Sequence, residues 1–99
     1  MIELTAAEIA DITNGRLAAE PGITPGSVVT DSREATPGSL YVAKPGETAD
    51  GHDFVAKAYA AGAAAALVSM PVDGPHVLVG DVAKALTDLA MKMGQAIYE

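Results

Sequence analysis

Apolar residues recur at helical spacing near both ends of the chain, form short runs between them, and largely give way to polar and turn-forming residues across Asp31–Phe54. Thr5-Ala6-Ala7-Glu8 has the form of a capping box, in which the Thr5 hydroxyl accepts from the Glu8 amide and the Glu8 carboxylate reaches back to the Thr5 amide. Leu4 and Ile9 flank it as a hydrophobic staple and Asn14-Gly15 supplies a left-handed stop, so the pattern predicts a helix over about residues 6–13. Leu17–Glu20 reads as a weak strand closed by Pro21-Gly22. After the turn at Pro25-Gly26, the β-branched content of Ser27–Thr30 predicts a second strand, and Leu40–Ala43 a third after Pro37-Gly38.

A helix over about Asp53–Ala61 would place Phe54, Ala58 and Ala61 on one face, with Val55 and Tyr59 beside them and Gly62 as its stop. Ala64–Ser69 reads as a buried strand of small residues, Pro71–Pro75 as a loop, and His76–Val79 as another strand. Asp81 then caps a long helix in which Val82, Ala85, Leu86, Leu89, Ala90, Met93 and Ile97 form a stripe. This order predicts an α/β fold: a small sandwich with a partly parallel sheet flanked by helices. A right-handed parallel crossover joins the strands at 40–43 and 64–69.

With 99 residues the chain is expected to be one domain, burying roughly 60–70% of its unfolded surface. Having no cysteine, it has no disulfide framework, thiolate metal site or cysteine nucleophile. The two histidines, His52 and His76, lack helical metal-ligand spacing, so no metal site is expected from this chain alone. Thirteen acidic against six basic residues give a net charge of −7, which opposes nucleic-acid binding. MIELTAAEIAD lacks the charge and apolar core of an export signal, and Ala58–Val72 falls short of a membrane span of about 20 residues. A cytoplasmic protein without a membrane span is the expectation. The last helix reaches Glu99 without a clear stop, as it would at a boundary inside a larger protein or at a natural terminus that frays.

Ligands of open α/β sheets sit beyond the carboxyl ends of parallel strands. Asp31-Ser32-Arg33 and Gly46–Gly51 each follow a strand, so they converge on one pocket if those strands are neighbours. The same residues also read as turn chemistry, Asp31 and Ser32 closing a turn and Asp50-Gly51 leading into a helix. A hydrolase pairing of Ser32 with His52 and an aspartate has the right residue types but no nucleophile-elbow pattern. There is no phosphate loop ending in Lys-Ser or Lys-Thr and no dinucleotide fingerprint, so ATP has no evident site. The helix start near His52–Phe54 could offer amides to a diphosphate, but Glu47, Asp50 and Asp53 surround it, with only Arg33 and Lys44 near in sequence. Residue physics alone therefore favours a neutral hydrogen-bonding ligand group.

Three runs together, TDSREATPGSLYVA, GETADGHDF and the AxxxGAAAALV pattern, resemble the N-terminal domain of the Mur ligases, which build the peptide of bacterial cell-wall precursors. The resemblance covers essentially the whole chain, and the DGHDF form is similar to the MurF branch, which adds D-alanyl-D-alanine to a UDP-N-acetylmuramoyl-tripeptide. The MurE branch, which adds the third amino acid, is the alternative within the family. A free-standing α/β interaction module and a small Ser/His hydrolase are the alternatives outside it.

The resemblance implies that this domain holds the UDP-sugar end of the UDP-N-acetylmuramoyl-peptide. A central domain would bind ATP and magnesium, and a C-terminal domain the incoming amino compound, both outside this chain. It implies substrate-binding positions at Thr30, Ser32 and Arg33, and at Glu47, Thr48, Ala49, Asp50, Gly51 and His52. Many relatives carry an arginine and an aromatic after the glutamate, where this chain has Thr48-Ala49, which leaves backbone contacts to that part of the loop. The family activates a carboxylate as an acyl phosphate and lets an amine attack it. This domain would supply positioning and no catalytic residue.

Overall fold

The structure is a computed structural model that describes the backbone of residues 4–44 and 50–98 and the side chains of residues 4–44 and 50–92. Helix α1 (Ala6–Thr13) starts at the expected capping box, with the Glu8 amide donating to Thr5 Oγ1 at 3.1 Å and the Thr5 amide to Glu8 Oε1 at 3.0 Å. It ends at Asn14 with φ 57°, the left-handed stop. Strand β1 (Arg16–Ala18) starts one residue before the expected span and ends two before it, because its pairing with the distant strand β5 (His76–Leu78) sets its limits. Strands β2 (Ser27–Val29), β3 (Ser39–Val42) and β4 (Ala65–Val68) lie within a residue of expectation at each end.

The sheet order is β1-β5-β4-β3-β2, with every neighbouring pair parallel except β1 and β5. β3 and β4 are buried throughout, and their side chains alternate between two cores. Leu40, Val42, Ala65 and Leu67 join Ile9, Val77, Val82, Ala85 and Leu89, so α1 and helix α3 (Val82–Tyr98) cover that face. Tyr41, Ala43, Ala66 and Val68 pack with Val55 and Ala58 of helix α2 (Val55–Ala60) on the other face.

The helix expected over 53–61 is divided: a 3₁₀ turn covers Gly51–Phe54 and α2 follows it. Asp50 causes the division, since its carboxylate takes the His52 amide and starts the turn early. Ala61 is exposed rather than part of the apolar face, because α2 has already ended there. Gly62 has φ +105°, and a Cβ on it would lie 2.8 Å from Pro37 Cα, so this stop also brings two turns together. On α3, Val82, Ala85 and Leu89 are buried, Leu86 is half-buried, and Ala90 is exposed. Met93 and Ile97 lie outside the described side chains.

Candidate functional site

β2 and β3 are parallel neighbours in register Ser27↔Ser39 to Val29↔Tyr41, so the segments after them emerge side by side at one end of the sheet. They border a cleft of about 580 Å³ lined by Thr30, Asp31, Ser32, Arg33, Tyr41, Lys44, Gly51, Phe54 and Lys57. Asp31-Ser32-Arg33 and, from Gly46–Gly51, the described Gly51 thus meet at one cleft, as the adjacency of those strands required. Among the residues expected to bind ligand, Thr30, Ser32, Arg33 and Gly51 line this cleft. Asp50 and His52 do not line it. Glu47, Thr48 and Ala49 lie outside the described residues.

After β2, a 3₁₀ turn over Ser32–Glu34 forms because Asp31 Oδ1 accepts the Arg33 amide at 2.9 Å. The Arg33 guanidinium then closes onto the same carboxylate, Nη2 donating at 2.7 Å and Nε at 3.1 Å. These bonds hold Asp31 down at about 2 and raise Arg33. Ser32 is presented to the cleft between the two charged residues.

After β3, the Gly51 amide donates to the Lys44 carbonyl at 2.8 Å and the Tyr41 hydroxyl donates to the Gly51 carbonyl at 2.8 Å. A Cβ on Gly51 would sit 2.7 Å from both the nitrogen and the oxygen of Lys44, so only glycine lets the two backbones lie this close. Burial raises the Tyr41 phenol, with smaller contributions from the charges of Asp31 and Asp50, and it therefore keeps its proton as a donor.

The amides at the start of this turn are used internally: His52 donates to Asp50 Oδ1 and Asp53 to the Asp50 carbonyl. An anion site built on these amides, which the sequence allowed, is thus filled by the chain itself. Both His52 ring nitrogens are also engaged, Nδ1 with Asp50 Oδ1 at 2.6 Å and Nε2 with the Ser69 amide at 2.9 Å. No nitrogen is left to activate Ser32, which removes the basis for the hydrolase pairing.

The local charge also differs from expectation. Asp50 and Asp53 do not line the cleft, whereas Lys57, from the helix that follows, does. Its ammonium lies 5.8 Å from the centroid of the Phe54 ring, a cation–π distance. The described lining holds three cations and one carboxylate, and that carboxylate is paired with Arg33. An anionic ligand suits this lining better than the neutral one that sequence proximity favoured. Tyr41, Phe54 and Lys57 were not anticipated, although Phe54 and Lys57 stand three apart at a helix start, the spacing that puts two side chains on one side.

The profile described as "Mur ligase family, catalytic domain" matches residues 26–93. A UDP-N-acetylmuramoyl-tripeptide--D-alanyl-D-alanine ligase from Escherichia coli is 43% identical over 98% of this chain and 22% of its own length. The ligase of the same description from Mycobacterium bovis is 48% identical over 84% of this chain and 18% of its own. A crystal structure of MurF from Acinetobacter baumannii superposes with a TM-score of 0.84 at 32% identity, covering 91% of this chain and 21% of that one. Matches to 2,6-diaminopimelate-adding ligases span less of the chain. The chain spans about a fifth of the length of these curated relatives.

Proposed function

The chain belongs to the Mur ligase family, with the fold of its N-terminal domain, and on that premise we propose that its cleft holds the UDP end of a UDP-N-acetylmuramoyl-peptide for a MurF-type ligase. The observation that carries this reading is the convergence of Thr30–Arg33 with Lys44 and Gly51 on a single cationic cleft beyond the carboxyl ends of two parallel strands. Thr30, Ser32 and the backbone at Gly51 offer hydrogen bonds to a uridine, and Lys44, Lys57 and Arg33 offer charge to its diphosphate. Glu47, Thr48 and Ala49 complete the expected binding set.

ATP and magnesium would bind in a central domain and the incoming amino compound in a C-terminal one. What supports placing ATP in another domain is that the sequence has no phosphate loop ending in Lys-Ser or Lys-Thr. What this chain contributes is affinity and orientation. Holding a substrate by its nucleotide end fixes the distant carboxylate relative to the remaining domains, which lowers the entropic part of the barrier. The cytoplasm, where nucleotide-linked precursors and ATP meet, is the fitting compartment.

Nuclear magnetic resonance titration of the labelled chain tests this. UDP should shift the amides of Thr30–Arg33 and Gly51, uridine a subset of them, and inorganic diphosphate should not reproduce the set. Lys57→Ala should weaken UDP binding roughly 2–5-fold, as for an exposed ion pair, and leave uridine unaffected. Shifts confined to another surface would overturn the reading, and so would ATP turnover by the purified chain.

A further inference from the structure

His52 belongs to the sequence run that most resembles a binding motif, yet its side chain is 6% exposed and does not line the cleft. Its Nε2 accepts the Ser69 amide, which places the single ring proton of the neutral imidazole on Nδ1, where it is donated to Asp50. The bond to Ser69 crosses from the loop after β3 to the residue that follows β4. Ala43 there donates to the Leu67 carbonyl at 3.0 Å, and a regular parallel ladder would bring the next β4 amide, that of Ser69, back to β3. The imidazole takes that amide instead, so the side chain acts as one more rung of the sheet.

The segment Asp50–His52 is consequently fixed from three sides. Gly51 is held by the Lys44 carbonyl and the Tyr41 hydroxyl, and His52 by the end of β4. Tyr41, Lys44 and Gly51 all line the cleft. We propose that His52 is a positioning residue: by anchoring to the Ser69 amide through Nε2, it sets Gly51, Tyr41 and Lys44 in place for the nucleotide without touching it. This role rests on the nucleotide reading of the cleft.

Three variants of the chain, titrated with UDP, test the role. His52→Gln carries an amide oxygen near the Nε2 position and keeps an acceptor for Ser69, His52→Asn reaches only the Nδ1 position, and His52→Ala reaches neither. The Gln variant should bind UDP within about 2-fold of wild type. The Asn and Ala variants should bind about 2–13-fold more weakly, the range of one neutral hydrogen bond, with faster hydrogen exchange at the Ser69 amide. Equal affinity in the Asn and Gln variants overturns the role. So does a loss of thermal stability in all three without a change in affinity, since His52 would then be structural only. If His52→Ala does not fold, the Asn and Gln pair still decides. A wild-type chain that does not bind UDP overturns the nucleotide reading and this role together, whereas failure of this role alone leaves wild-type binding intact.

Discussion

Asp31-Ser32-Arg33 and Asp50-Gly51-His52 use the same local chemistry to opposite ends. In each, the aspartate accepts the amide and the side chain of the residue two positions on, and a 3₁₀ turn follows. In the first, the Arg33 side chain is 87% exposed, and its charge remains at the cleft. In the second, the imidazole is buried and has a second partner in Ser69. An aspartate turn is therefore neither a binding element nor a structural one by itself. What decides is whether the partner side chain is left at the surface or drawn into the fold.

Exchanging the middle residues gives the largest expected effect. Gly51→Ala puts a Cβ against backbone atoms of Ala43 and Lys44 that cannot rotate away, and should cost about 1–3 kcal/mol. For a domain of this size, that lowers the melting temperature by roughly 4–8 °C per kcal/mol in calorimetry. Gly22→Ala, with nothing within 4 Å of the added carbon, should change it little. An unaffected Gly51→Ala would show that the second turn is no more constrained than the first.

That contrast marks what the sequence could show. α1 was legible because its capping box and its stop are local, and β2, β3 and β4 because β-branched or apolar runs end at prolines and glycines. The pairing of the two loops required only that β2 and β3 be neighbours. The division of the second helix was not legible, because Asp50 competes for the amide of His52 from outside the apolar pattern. Tyr41 reads as one more core residue of Leu40–Ala43, and nothing local reveals that its hydroxyl meets Gly51 ten positions on. Lys57 reads as a solvated helix position, and a whole-chain charge of −7 conceals a cleft whose described lining holds three cations and one carboxylate. The role of His52 depends on Ser69, 17 residues away, a contact that only the sheet creates.

On the proposed reading of the cleft, a smaller effect is expected from Ser32→Ala in a full-length ligase that contains this domain. Losing one neutral hydrogen bond costs about 0.5–1.5 kcal/mol, or roughly 2–13-fold. Since the uridine end does not change between ground and transition states, the KM for the UDP-precursor should rise by that factor while kcat and the KM for ATP hold. A fall in kcat by orders of magnitude would place Ser32 in the chemical step.

The smallest effect should come from acid. Asp31 is held at about 2 against its ordinary 3.8, so its contribution to stability is present above 3.8 and is lost as the pH falls through about 2. The exposed position of the pair and its screening by salt keep that contribution small. Arg33→Ala should return the Asp31 midpoint, followed by carboxyl carbon resonance, toward 3.8. A midpoint that stays near 2 would mean that the backbone amide alone holds the charge.

The antiparallel pairing of β1 with β5 has a consequence for how the protein is made. Arg16 finds its partner Leu78 only after about 60 further residues have been synthesised, a delay of roughly 3–12 s at about 5–20 residues per second. During that interval the apolar face of α1, with Ile9 at its centre, lacks both Val77 of β5 and the residues of α3 that bury it. The segment that carries the capping box is thus synthesised well before β5 and α3, and its apolar residues stay uncovered until both have emerged.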